Sequence, residues 1–259
     1  MPRRAPRAER SARRALACAA ALLLAAGAHG GELALVVDDL GFDRAAGLRA
    51  AALPGPVACA VLPHGPYSRL VAEAARARGK EVLLHLPMTP VDGREAGPGT
   101  IRLHMTRAEL ERTLARALAS VPGAVGVNNH MGSLITRHPG HMAWLMEALR
   151  RRGLYFLDSR TTAATVAERA AAEAGVAHLR RDVFLDAEPG PEGLRAGLAR
   201  LRRRLARQGH AVAIFHPSPA ALAFVERALP ELAREHRLVP PSALLGRDDA
   251  TRLAVRPPR

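Results

Sequence analysis

The sequence predicts an α/β fold, a parallel (β/α) barrel of seven or eight βα units, and three observations carry that prediction. Short runs of β-type residues alternate with helical stretches about every 20–35 residues, the pattern of strands joined by crossover helices. Polar and ionisable residues gather where those runs end, at Asp38, Asp39, His64, His85, Asn128, Asn129, His130, Asp158, Arg160 and His216. In a closed barrel such ends share one mouth, whereas an open sheet spreads them along an edge. No glycine-rich phosphate loop follows the first run, so a dinucleotide-binding sheet lacks its signature.

Taken in order, the chain begins with Arg3, Arg4, Arg7, Arg10, Arg13 and Arg14, then an apolar run at 15–26 and the small residues Ala26-Gly27-Ala28. This is the pattern of a secretory signal over residues 1–28, which directs the mature chain to the periplasm or out of the cell. The apolar run is short for a membrane span, with an uncleaved signal anchor as the alternative. Cys18 falls within the leader and leaves Cys59 alone, so no internal disulfide is expected.

Strands are expected at 33–39, 57–63, 81–87, 124–130, 154–160, 178–185 and 211–217, with an eighth at 238–245. Each is a short apolar run bounded by turn residues. Helices are expected at 44–52, 68–78, 106–120, 141–152, 166–174, 192–208 and 220–235. The third opens with Thr106-Arg107-Ala108-Glu109, a capping box, and several end at glycine, as at Gly79, Gly153, Gly175 and Gly209. The loop 88–105 is long and rich in Pro and Gly, so it lines a groove or forms a mobile insertion. A barrel domain at 29–246 and a frayed tail at 247–259 complete the organisation.

With 259 residues and 48% hydrophobic content, the chain can bury a substantial core in one domain. Its formal charge of +14 comes from 37 Arg and one Lys dispersed among alanine-rich helices. Loss of residues 1–28 removes six arginines and Glu9 and leaves +9. Aromatic residues make up only 3% of the chain, too few to interleave with the charge as base-stacking platforms, and nucleic acid is excluded as a partner. The run Arg200, Arg202, Arg203, Arg204 and Arg207 reads as the solvated side of an amphipathic helix.

The chemistry centres on Val36-Val37-Asp38-Asp39-Leu40-Gly41, a buried strand that ends in two adjacent carboxylates. Two such acids repel unless a cation or a shared proton intervenes. A divalent metal on one, with the other free to take a proton from water, is what a hydrolase needs. An isolated Asp-Asp more often caps a turn, but His85 and His130 end the third and fourth strands. Two imidazoles and a carboxylate make an N,N,O set suited to zinc with a position left open.

These residues carry a resemblance. Asp38-Asp39-Leu40-Gly41, His85-Leu86-Pro87-Met88-Thr89-Pro90, the stretch 126–133, Phe156-Leu157-Asp158-Ser159-Arg160-Thr161, Arg181-Asp182-Val183-Phe184-Leu185-Asp186 and His216-Pro217 together resemble the divergent polysaccharide deacetylase family. That resemblance implies a distorted (β/α) barrel, a divalent metal that is usually zinc, and removal of acetyl groups from a glycan. It also implies that Asp38 is the general base, that Asp39 binds metal, and that His216 protonates the leaving group. The wider group takes both imidazoles from one His-x-x-x-His segment. Here positions 87–90 hold no histidine, so His130 supplies the second. Phe215 stands where related sequences often have glycine.

Around this centre, Asp158 is expected to orient His216, and Arg160 to hold Asp158 or a substrate carboxylate, the alternative being a structural ion pair. Asn128 and Asn129 are expected to orient His130 or bind sugar hydroxyls, and His64 to line the groove. Asp182 is expected to join the site and Asp186 to cap its loop. Two other readings stand beside the deacetylase: a catalytically silent barrel that binds carbohydrate or serves envelope assembly, and a metal-free glycosidase using Asp38 and Asp158.

Overall fold

The computed structural model describes residues 30–247. The expected leader at 1–28, and all of the expected tail except Arg247, lie outside the described residues. Among the described residues, no helix is long and apolar enough to cross a membrane.

Nine strands form one sheet: β1 (Glu32–Leu40), β2 (Ala58–Val61), β3 (Val82–Met88), β4 (Gly126–Met131), β5 (Tyr155–Asp158), β6 (His178–Arg180), β7 (Val183–Phe184), β8 (His210–Phe215) and β9 (Arg237–Leu238). They lie in the order β6-β5-β4-β3-β2-β1-β8-β7, with β9 added to β1, and all pair in parallel. Seven helices alternate with them: α1 (Arg44–Ala51), α2 (Ser68–Arg76), α3 (Arg107–Ser120), α4 (Pro139–Arg150), α5 (Ala167–Ala174), α6 (Gly190–Gln208) and α7 (Pro219–Glu235). This is the alternating distorted barrel that the sequence predicts.

Two expected strands are different in detail. The segment 178–185 is split: β6 pairs with β5 and β7 pairs with β8. Between them Arg181 N donates to Asp158 O at 2.9 Å and Asp182 N donates to Val212 O at 2.8 Å. One stretch of chain thus serves both edges of the curled sheet and joins them without β6 and β7 pairing to each other. The expected strand 238–245 shrinks to β9 and a 3₁₀ turn at Pro241–Leu244. Pro240 and Pro241 have no N–H with which to extend a ladder.

Alternation along the strands builds two cores. Leu33, Leu35 and Val37 of β1 pack with Leu84 and Leu86 of β3, Phe156 of β5 and helix residues such as Val71, Leu110 and Leu145. The intervening Ala34 and Val36 pack with Ala58, Ala60, Leu83, Leu157, Val212 and Ile214 inside the barrel. Both faces of β3 are buried along its whole length, as expected of a parallel strand between two layers. The inner cluster uses several alanines, which let the strands curl tightly around a narrow interior.

Local signals place the helices. Thr106 caps α3, with its side chain accepting from Glu109 N while Glu109 accepts from Thr106 N at 2.7 Å, the reciprocal box read from the sequence. Ser218 caps α7 in the same sense, and Gly209 ends α6 in the left-handed conformation. The loop after β3 is tied down at both ends. Thr89 N donates to Ile101 O at 3.0 Å, Ile101 N to Pro87 O at 2.8 Å, and Val91 N to Ser133 Oγ at 2.9 Å. These bonds fold the segment back over the strand ends.

Candidate metal centre and active site

The two-residue alternation that separates the cores also aims the polar side chains at the strand ends. Asp38 continues the inward series of Ala34 and Val36. His85 follows Leu83, His216 follows Val212 and Ile214, and Asn128 lies opposite the outward-packing Val127. Asp39 is out of phase and on a regular strand would turn away. The pairing of β1 with β2 shifts register between Val37 and Leu40, and Asp39 takes φ of 57°. This bulge with a left-handed residue sends both adjacent carboxylates to the mouth, a conformation that costs about 1–3 kcal/mol at a non-glycine residue. Met131 and Arg160 leave β4 and β5 through similar left-handed turns, with φ of 51° and 49°.

At the mouth, Asp39 Oδ1 lies 2.8 Å from His130 Nδ1 and 3.1 Å from His85 Nε2, and the two nitrogens are 3.2 Å apart. Asp39, His85 and His130 form the one group among the described residues whose His, Cys, Asp and Glu atoms converge closely enough to hold an ion. The donor atoms fit a metal on their own spacing. Bonds of 2.0–2.1 Å in tetrahedral geometry need ligand atoms about 3.3 Å apart. The buried Asp39 Oδ1 also accepts no hydrogen bond of good geometry, an unsatisfied state that a cation would relieve. Burial works against ionisation of Asp39, but the two imidazoles outweigh it and hold its carboxyl far below the usual range.

Asp38 is 1% exposed. Burial raises its pKa, opposed by the positive charge of His85 and His216 and by a hydrogen bond from Asn128. Its Oδ1 accepts from Asn128 Nδ2 at 2.8 Å, and its Oδ2 is 3.6 Å from His85 Nε2. Across the opening, His216 Nε2 stands 4.0 Å from Asp39 Oδ2. Asp186 holds His216 from behind: its Oδ2 lies 3.1 Å from Nδ1 and accepts from the backbone N–H at 2.8 Å. Burial alone would lower the pKa of His216, but the Asp186 contact and the two aspartates at the mouth lift it to about 9. A cleft of about 400 Å³ opens over these groups, lined also by Pro90, Asp92 and Arg94 of the folded-back loop and by Asn129, Ser159 and Phe184.

Asp38, Asp39, His85, His130 and His216 therefore meet at one cleft, and other expected site residues do not. Asp158 does not orient His216. It is fully buried, with Oδ1 accepting from Arg160 N at 2.8 Å and Oδ2 from Thr165 Oγ1 at 2.8 Å. The cause is phase, because Tyr155 and Leu157 face the barrel interior and Asp158 shares the outward side with Phe156. The same turning removes the glycosidase pairing of Asp38 with Asp158. The Arg160 side chain extends to Glu168 at 3.0 Å, so it holds neither the Asp158 carboxylate nor the cleft. His64 is exposed and lines a separate groove beside Gly99 and Arg102.

Asn128 is fully buried, spends its amide on His85, Asp38 and Ser159, and does not line the cleft. Asn129 borders the cleft, but its amide is spent on Met131 O at 2.8 Å and Ser159 N at 2.9 Å. Asp182 is bound to Arg204 and to Val212 N, where it braces the join between β6 and β7. The residue that sequence reasoning underrated is Asp186. Its place just beyond a strand, opposite His216, becomes visible only once β7 is known to pair with β8.

Comparison with known proteins shows the family to which the chain belongs. A family model described as divergent polysaccharide deacetylase matches residues 35–245. Uncharacterized protein YibQ of Escherichia coli (strain K12) is 40% identical over 233 residues, covering 90% of this chain and 73% of its own. An uncharacterized protein of Haemophilus influenzae is 35% identical over 208 residues, 80% of this chain and 74% of its own. The crystal structure of uncharacterized protein ATU2773 from Agrobacterium tumefaciens C58 superposes with a TM-score of 0.79 at 26% identity, covering 85% of this chain and 91% of that one. Since the family match begins within β1 and runs past β9, it takes in every strand end that builds the cleft, and the chain belongs to the divergent polysaccharide deacetylase family.

Proposed function

We propose that this protein is a metal-dependent hydrolase that removes acetyl groups from an envelope or extracellular polysaccharide, acting in the periplasm or outside the cell as a secreted or signal-anchored chain. The observation that carries this reading is the position of a buried, pKa-raised carboxylate, Asp38, directly beside the convergent set Asp39, His85 and His130. A divalent ion held by that set, zinc by the nature of its donors, supplies Lewis acidity towards a carbonyl and acidifies a neighbouring water.

Asp38 is fixed through Oδ1 by Asn128, which leaves Oδ2 to accept the proton of an attacking water. Its raised pKa makes it a stronger base than a solvated aspartate. His216 stands on the far side of the opening with Asp186 behind it and carries a proton at neutral pH. It donates that proton to the departing nitrogen or oxygen as the acyl bond breaks. Water and the acetylated sugar thus yield acetate and the free amine or hydroxyl. Asp186 accepts from both the ring and the backbone of His216, which fixes the direction of donation. Phe184, beside His216 at the cleft wall, offers an apolar surface to a sugar ring.

The test is metal analysis of the purified protein together with acetate release from acetylated glycans, including peptidoglycan fragments. Stoichiometric divalent metal with release of acetate supports the reading. Protein that holds no divalent ion even on addition removes its basis. Metal binding without turnover across the substrate panel favours the silent, carbohydrate-binding barrel.

A further inference from the structure

We infer that the polymer acted on is an acidic glycan whose carboxylates are held at two places on this chain. One is Arg94 in the cleft, and the other is a groove lined by His64, Arg102 and Arg116. The inference rests on the proposed function for the identity of the cleft and deepens it by naming the class of polymer. The loop 88–105 divides the two openings. Pro90, Asp92 and Arg94 line the cleft of about 400 Å³, whereas residues 97–100 and Arg102 line a groove of about 320 Å³ that Arg116 of α3 completes. Between them the loop is anchored, with Ala96, Thr100 and Ile101 buried and Thr100 Oγ1 donating to Gly97 O at 2.5 Å.

Among the described residues, Arg94 is the one guanidinium that lines the cleft. Its Nε donates to Asp92 Oδ2 at 2.8 Å and its backbone N–H to Asp92 Oδ1 at 3.2 Å. The stem is thereby fixed, and the two terminal nitrogens remain as a planar fork that matches a carboxylate. The side chain is 70% exposed, so water screens its pairing with Asp92 and leaves the guanidinium open to a second anion. In the groove, His64 takes φ of 59° and donates its backbone N–H to Ser120 Oγ at 3.1 Å. Gly99 takes φ of 77°, and a Cβ there would stand 3.0 Å from His64 Cδ2, so glycine keeps the space in which the ring sits. No acid lines the groove, and Glu95, 2.9 Å from Arg102, is the one carboxylate among the described residues that is bonded to its cations. Elsewhere the arginines are better neutralised, as at Arg202, which meets both Glu231 and Glu235. The formal charge of +14 draws a polyanion to the surface. The fork and the groove fix where its carboxylates sit, whereas a neutral glycan would leave these donors to water.

The experiment is titration calorimetry of the full protein with two N-acetylated hexasaccharides. One is a hyaluronan fragment, in which N-acetylglucosamine alternates with glucuronate, and the other is the neutral chitohexaose. Asp38→Asn is present throughout to prevent turnover. The acidic sugar is expected to bind roughly tenfold more tightly or better, as charged hydrogen bonds supply. Arg94→Met and Arg116→Met are each expected to lose roughly tenfold for the acidic sugar and nothing for the neutral one. Arg203→Met, on the exposed side of α6, controls for overall charge and is expected to bind both sugars as the parent does. Equal affinity for the two hexasaccharides, binding of neither, or an equal loss in Arg203→Met overturns the inference. So does an Arg94→Met or Arg116→Met protein that keeps the affinity of the parent or weakens for both sugars alike. Acetate release is measured separately with Asp38 intact. If the acidic sugar binds as expected while no acetylated glycan yields acetate, the deacetylase reading fails and the acidic-glycan site stands.

Discussion

Asp39 Oδ1 and His130 Nδ1 lie 2.8 Å apart, although they sit at the ends of β1 and β4, strands separated in the sheet by β2 and β3. Only curling of the sheet brings those ends together, so this distance reports on both the barrel and the metal centre. His130→Ala is expected to weaken zinc or cobalt binding by more than the roughly 10–100-fold that loss of an outer-shell partner costs. His138, exposed and paired with His141 at 3.0 Å, serves as the control. His138→Ala is expected to bind metal as the wild type does. Titration calorimetry of the two variants decides the matter, and the reverse order of affinities would refute the ligand assignment.

Asp38 is placed for proton transfer and lies outside the convergent donor set. Asp38→Asn keeps the shape and leaves Asp39, His85 and His130 in place. A turnover loss of roughly 10²–10⁴-fold is expected, the range that general base catalysis supplies, with metal still bound. Acetate release and metal content measured on one preparation separate the two effects. Loss of metal together with activity would place Asp38 among the ligands instead.

The pKa of His216, near 9, gives a signed expectation. Burial pulls it down, and the Asp186 contact is the largest of the effects that raise it. The imidazolium is the acid, so activity that depends on it is present below the folded-state pKa and lost as pH rises through it. Asp186→Asn removes the charge behind the ring and is expected to move the alkaline limb of the pH–rate profile down, towards the ordinary imidazole range. An NMR titration of His216 in the metal-free variant checks the same displacement without turnover. An unmoved titration would leave Asp186 with a purely structural role.

Much of this arrangement is legible in the sequence, and the limits of what is legible have physical causes. Strand ends and polar clusters mark the mouth because parallel strands in a barrel all finish on the same side. The inward aim of Asp38, His85 and His216 follows from counting by twos from neighbouring apolar residues. The same count along Tyr155, Phe156 and Leu157 turns Asp158 outwards. Asp39 breaks the count through a bulge, which no local pattern announces. Asp186 needed a tertiary fact, the division of residues 178–185 between two strand partners. Asn128 likewise shows its function only when Asp38 arrives from across the barrel.

Asp158 provides the sharpest contrast between a site residue and a scaffold residue. Its carboxylate is enclosed, takes hydrogen bonds from Arg160 N and Thr165 Oγ1, and is pushed towards a higher pKa chiefly by burial. Those two bonds pin the turn through which the chain leaves β5, where Arg160 takes φ of 49°. Asp158→Ala strands both donors and is expected to destabilise the fold by about 1–3 kcal/mol, the range for unsatisfied buried polar groups. Thr165→Val removes one bond and is expected to cost less, about 1 kcal/mol. Denaturant unfolding measures both, and metal affinity and the titration of His216 are expected to stay at wild-type values. A lowered His216 pKa in Asp158→Ala would mean that the acid of β5 reaches the cleft after all, through a coupling that its outward phase argues against.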